Sequence, residues 1–319
     1  MRARNPRAEA QALLAPGYEA RVLEPSPPAV QDPRWYADDP TDPSGATGRV
    51  VSPTSDGDLT WDEYVRSHPE VAGFAGERWL LRRRPLPPMG DVAATRKSLH
   101  QVAFFAVAPL RYGRVGKLGL RWTHLGFGTP FFGADEQVRV EEHLLVVQRG
   151  DGATGQPITD LESACAFLGI PYREVWFEGF HDPPDPVGPR ALLEVEGRAV
   201  AELADWFGFV TLVLEELRRT PGAEEVGRVQ LWPEHFDVAV EMGSGGRRAS
   251  FGGSPGDDAH QEPYLYVAPW EPVDRSDPFW GDPAFNGASL THSELLSSPD
   301  PFRRALEFLL EGHRRTAAS

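Results

Sequence analysis

The sequence predicts an α+β fold built from two related halves, and three observations carry that prediction. Two strongly apolar helical stretches, DVAATRKSLHQVAFFAVAPL from Asp91 and AVAELADWFGFVTLVLEELRR from Ala199, are each followed by short strand-like segments rather than by further helices. The order of elements after each is the same: a strand opening on glycine, a Phe-Gly pair, further strand, then a Thr-x-x-Glu box that starts a helix. Gly116, Leu118, Leu120 and His124 also fall at the spacing of Gly227, Val229, Leu231 and His235. The expected object is a pair of helix and antiparallel-sheet halves, with a ligand cleft at their midline.

Residues 1–58 read as a proline-rich arm. PSPP at Pro25–Pro28 and DPTDPSG at Asp39–Gly45 restrain the backbone away from helix, while Trp35 and Tyr36 suit an arm docked on the body. Residues 59–90 read as N-terminal helices: Thr60-Trp-Asp-Glu63 is a capping box, and Val71, Phe74, Trp79 and Leu80 form an apolar stripe. The arginines at 82–84 lie where a helix C-terminus favours positive charge.

The first half, residues 91–198, continues after its helix with GKLGLRWTH as a strand and GFGTPFFG as a tight turn presenting Phe131 and Phe132. QVRVEEHLLVVQRG supplies one or two strands, and Thr159-Asp-Leu-Glu162 opens a helix carrying Cys165 on its apolar face. The second half, residues 199–319, has GRVQLWPEHFD as an extended strand, a polar Gly/Arg turn, FGGSPGD as a loop, PYLYV as a strand, a Thr291–Glu294 box and a terminal helix.

Composition narrows the chemistry. The formal charge of −15 repels phosphate backbones and anionic lipid, which argues against nucleic acid and membrane surfaces as partners. A single cysteine excludes an intramolecular disulfide and a thiolate zinc cage, and it fits a reducing compartment. With no apolar run of membrane-spanning length and no signal-peptide core, a cytoplasmic location is expected.

The groups able to do chemistry concentrate between Val226 and Trp270. On an extended strand, His235 and Asp237 would share a face, as an oriented base or as two metal ligands. Asp257, Asp258, His260 and Glu262 in the following loop would complete either arrangement, with Trp232 and Tyr264 beside them. No established metal spacing is present, so the cofactor stays open. Gly252-Gly-Ser254-Pro-Gly256 matches the nucleophile-elbow pattern only formally, because no helix can follow Pro255-Gly256 directly.

TWDE at Thr60, KLGLRWTHLGFGTPFFG at Lys117, and LWPEHFD followed by SFGGSPGDDAHQEPYLYVAPW resemble an uncharacterised family of actinobacterial proteins. The last block, from Trp232 to Val267, is also similar to a broader bacterial domain of unknown function. The resemblance covers most of the chain after the arm and implies no activity or cofactor. The leading expectation is therefore a small-molecule-binding protein, with Trp232, Asp257, His260, Glu262 and Tyr264 as ligand contacts. The alternatives are a hydrolase using His235 and Asp237, with or without a metal, and a protein-interaction module using the arm or the loop from Trp270 to Trp280.

Overall fold

A computed structural model of the chain describes residues 21–23, 86–123, 125–130, 136–149, 152–180, 182–218, 220–221 and 223–318. The Thr60 box, the stripe at 71–80, the arginines at 82–84, His124, Phe131, Phe132 and all of the arm except 21–23 lie outside the described residues. The fold is α+β, with helices and two antiparallel sheets. Two compact units divide the chain: 89–204 with 232–236 belong to the first, and 205–231 with 237–318 to the second.

In the first unit, helices α1 (Ala93–Val102) and α2 (Ala108–Val115) are joined by a wide π-helical turn, Ala103–Val107, in which the Ala108 N–H reaches back to the Ala103 carbonyl. Pro109 explains the wide turn, since it has no N–H to give the Phe105 carbonyl and its ring would crowd that oxygen in a regular helix. The stranded Phe105 carbonyl instead accepts the Cys165 thiol at 3.3 Å, from the helix α3 (Leu161–Leu168). Burial pushes that thiol up to a pKa of about 11, so Cys165 is packing and a weak donor, as its apolar surroundings predict.

Strands β1 (Arg21–Leu23), β2 (Arg121–Thr123), β3 (Gly126–Gly128), β4 (Glu136–Glu141), β5 (Leu144–Arg149) and β6 (Gly152–Pro157) form the first sheet, in the order β1-β6-β5-β4-β3-β2. Strands β2 to β6 run as a simple up-and-down meander. GFGTPFFG is not a turn throughout: its first three residues are β3, and the reversal before them uses Leu125 at φ 60°. Phe127, Val138, Val140, Leu145 and Val147 make the buried apolar face. Along α1, Thr95, Ser98 and Gln101 recur every third residue and bond the backbone of Glu196, Glu194 and Val187, which ties the irregular segment 185–196 to the helix.

The helix α4 (Gly197–Leu217) matches the apolar stretch predicted from Ala199. The second sheet is also an up-and-down meander: β7 (Gln230–Trp232), β8 (Asp237–Met242), β9 (Ala249–Ser254), β10 (Tyr264–Pro269) and β11 (Ala288–Thr291). FGGS, read from sequence as loop, is the central strand β9, because its glycines are where neighbours come closest. A Cβ on Gly253 would strike Val210 of α4, and one on Gly312 would sit 2.5 Å from Val267. Gly312 lies on the terminal helix α6 (Pro301–Ala318), so both helices press on the sheet face made of Val238, Val240, Phe251, Leu265 and Val267. A short helix α5 (His292–Leu296) opens on the complete Thr291–Glu294 capping box. The earlier box is different: Asp160, not Thr159, caps α3 by accepting the Ser163 N–H at 2.8 Å, and Glu162 pairs with Arg190 instead.

Candidate functional site

Strand alternation gives the second sheet a second, chemically different face. Asp237, Ser254, Tyr264 and Thr291 form one row across it, and Ala239, Gly252, Tyr266 and Ser289 form the next. Gly252 shapes this face, since a Cβ there would lie 2.5 Å from the Tyr266 ring and hydroxyl. Without that atom the ring crosses β9 and its hydroxyl donates to the Asp237 carboxylate on β8. Burial, together with that carboxylate, raises the Tyr266 hydroxyl well above the usual phenol range.

Two loops lie over the row of polar groups. In the first, the Asp257 carboxylate closes its own loop by accepting the N–H groups of Ala259 and His260 at 2.8 and 2.7 Å. Its other oxygen accepts the Tyr264 hydroxyl at 2.7 Å. Despite the opposing effect of burial, these bonds hold the Asp257 carboxyl below its ordinary range, while burial raises the Tyr264 hydroxyl above its own. The His260 ring stacks on Tyr264 with centroids 4.1 Å apart. Its Nδ1 faces Asp257 at 3.4 Å and its Nε2 faces Asp282 at 3.0 Å.

Asp282 comes from the second loop, between β10 and β11. Arg275 organises that loop by donating to the carbonyls of Trp280, Asp282 and Phe285 at 3.2, 2.7 and 2.7 Å. Asn286 adds bonds to Pro269 and Glu271. Phe285 is thereby set 6.4 Å from Tyr264 and 6.2 Å from Tyr266, ring centre to ring centre. The network grades from inside to outside: the Asp282 side chain is 0 % exposed and the Asp257 side chain 43 %.

Of the residues expected to make a site, Asp257, His260 and Tyr264 are together, and Asp237 joins them through the shared sheet face. Four expectations need correction. GRVQLWPEHFD is not one strand, because Pro233–Phe236 is a tight turn in which Phe236 takes φ 56° and returns its N–H to Trp232. His235 therefore sits exposed on the turn instead of alternating with Asp237, whose carboxylate is buried with Tyr266. Trp232 is the last residue of β7, outside the network. Glu262 binds the Ser293 N–H and hydroxyl at 2.8 Å each, fastening the start of α5.

The turn itself is held from α1. Both acceptors of His100 Nε2 are carbonyls, Pro233 at 3.1 Å and Glu234 at 2.9 Å, so that nitrogen carries the hydrogen. Burial lowers the His100 pKa to about 4, and Phe236 packs between its ring and Phe127. The participants that sequence reasoning missed are Tyr266, Asp282 and Phe285. Only Tyr266 carries a local signal, as the residue two beyond Tyr264 on a strand.

Among the described residues, no three histidine, cysteine, aspartate or glutamate side chains are grouped to hold a metal ion, and no helix is long and apolar enough to cross a membrane. No protein-family model matches the chain, and comparison with curated proteins and with solved structures gives no significant match.

Proposed function

We propose that the chain binds a small molecule on the polar face of the second sheet, at the outer end of the network formed by Asp257, His260 and Tyr264. The observation that supports this is the position of Asp257: a carboxylate held ionised by its neighbours, yet 43 % exposed in its side chain. One of its oxygens is occupied by two N–H groups and approached by the imidazole. The other accepts the Tyr264 hydroxyl and keeps acceptor capacity toward solvent. Such a mouth favours a ligand that donates hydrogen bonds, and an amine best of all, because charge-assisted bonds are the stronger kind. The net charge of −15 favours the approach of a cation as well.

Primary-amine fragments and their neutral isosteres, followed by protein NMR, test this. The amines are expected to shift resonances of Asp257, His260 and Tyr264, and Asp257→Asn is expected to abolish the effect with the fold intact. Amines that perturb nothing there, or that bind Asp257→Asn equally well, would overturn it.

A further inference from the structure

The first unit carries a surface of different chemistry. Between α3 and α4 the chain runs from Gly169 to Glu196 with no helix or strand among its described residues, a length that is uncommon for a connection unless it carries a function. Its first part is pinned by aromatic side chains. Trp176 and Phe180 sit 5.4 and 4.8 Å from Phe104 on the π-helical turn, and Phe177 lies 5.3 Å from Tyr112 on α2. Gly179 lets Phe177 fold back, since a Cβ there would come within 2.5 Å of its ring.

This cluster does not close over. Val175 is 73 % exposed and Tyr112 38 %, while Trp176, Phe177 and Phe180 are half-buried. A contiguous aromatic patch reaching solvent is the kind of surface that carries binding anchors. Its charges point to the kind of partner. Glu174, Glu178, Asp182 and Asp185 are exposed in the part of the segment from 173 to 185, against one arginine there, Arg173; the segment's other arginine, Arg190, is paired with Glu162. None of the four carboxylates has an ion-pair partner among the described residues.

We infer that this patch docks a basic peptide segment of a partner protein, with apolar anchors packing on Tyr112, Val175 and Phe177 and arginines or lysines meeting Glu174 and Glu178. Opposite charges at the rim would speed encounter and select the partner, while the rings supply most of the affinity.

Selection of random twelve-residue peptides displayed on phage against the full chain tests the inference. Enriched sequences are expected to place Arg or Lys beside Leu, Phe, Trp or Pro. The synthetic peptides are expected to bind at least tenfold more weakly to Val175→Glu, whose fold is checked by circular dichroism. They are also expected to weaken with rising salt and with Glu174→Lys combined with Glu178→Lys. No enrichment, enrichment of acidic peptides, or equal binding to Val175→Glu would overturn it. Concentration-dependent self-association of the chain that Val175→Glu abolishes would overturn it too, by giving the face to a second copy.

Discussion

The two sheets use the same dipeptide for opposite electrostatic ends. In β3, Phe127 enters the core while Gly128 lies across from Arg139; in β9, Phe251 enters the core while Gly252 lies across from Tyr266. In each sheet the missing side chain accommodates a long polar neighbour on the next strand. What the first sheet buries is a guanidinium: Arg139 is 2 % exposed, paired with Glu141 at 2.8 Å and donating to Gln148 at 2.8 Å. What the second buries is a carboxylate beneath a phenol, Asp237 under Tyr266. The guanidinium is met by a carboxylate and amides on its own sheet, whereas the carboxylate network continues outward to half-exposed Asp257. A meander can thus hold either charge beside a glycine, and in the second sheet the outermost carboxylate, Asp257, stays within reach of solvent.

Alanine at the two glycines would sharpen that contrast most. At Gly128 the added carbon meets backbone, 2.7 Å from the Arg139 Cα, so Gly128→Ala is expected to lose more than about 3 kcal/mol in urea unfolding. At Gly252 it meets the far end of a tyrosine, which can swing aside, and the expected loss is roughly half as large.

His100 gives the next largest effect, through pH. Its folded pKa of about 4 lies below the unfolded 6.5, so the unfolded chain takes up the proton first as pH falls. The contribution is complete above pH 6.5 and is lost between 6.5 and 4, by roughly 3 kcal/mol. His100→Gln is expected to remove that share of the slope in unfolding midpoints measured from pH 7 to 4; His292 and His313, also lowered by burial, leave a smaller remainder of the same sign. Breaking the buried phenol–carboxylate pair comes third: Tyr266→Phe is expected to cost about 1–3 kcal/mol by leaving Asp237 short of a donor. Arg190→Ala, which removes an exposed partner of Glu162, is expected to leave the unfolding midpoint almost unchanged, because solvent screens the pair.

The sequence made the helices legible where periodicity or capping was local. α4 announces itself by its apolar residues, and α5 by Thr291 and Glu294. Strands β6 and β9 were hidden because GATGQP and ASFGGS carry the glycines that strand propensity disfavours. Their pairing is decided by what lies alongside, such as Val210 against Gly253. PEHF read as strand because nothing local reveals that a phenylalanine will adopt a left-handed backbone; two carbonyl bonds from His100, more than a hundred residues earlier, hold it there. Half of the candidate site was visible for the complementary reason. Asp257, His260 and Tyr264 lie within eight residues, whereas Asp282 and Phe285 arrive only when Arg275 folds back a loop whose closure leaves no periodic trace.

The wide turn at Ala103–Val107 has an angular consequence. One extra residue in a helix of 3.6 residues per turn rotates everything downstream by about 100°. Tyr112 owes its bearing to that rotation. A chain shortened by one alanine at position 106 would carry the phenol a quarter-turn or more away from Phe177, while the same deletion would bring the Leu110 N–H into register with the Phe105 oxygen, in competition with the Cys165 thiol, and set Pro109 opposite the Phe104 carbonyl. The aim of a surface ring and the hydrogen bond of an interior thiol are therefore set together, by the placement of a single imino acid.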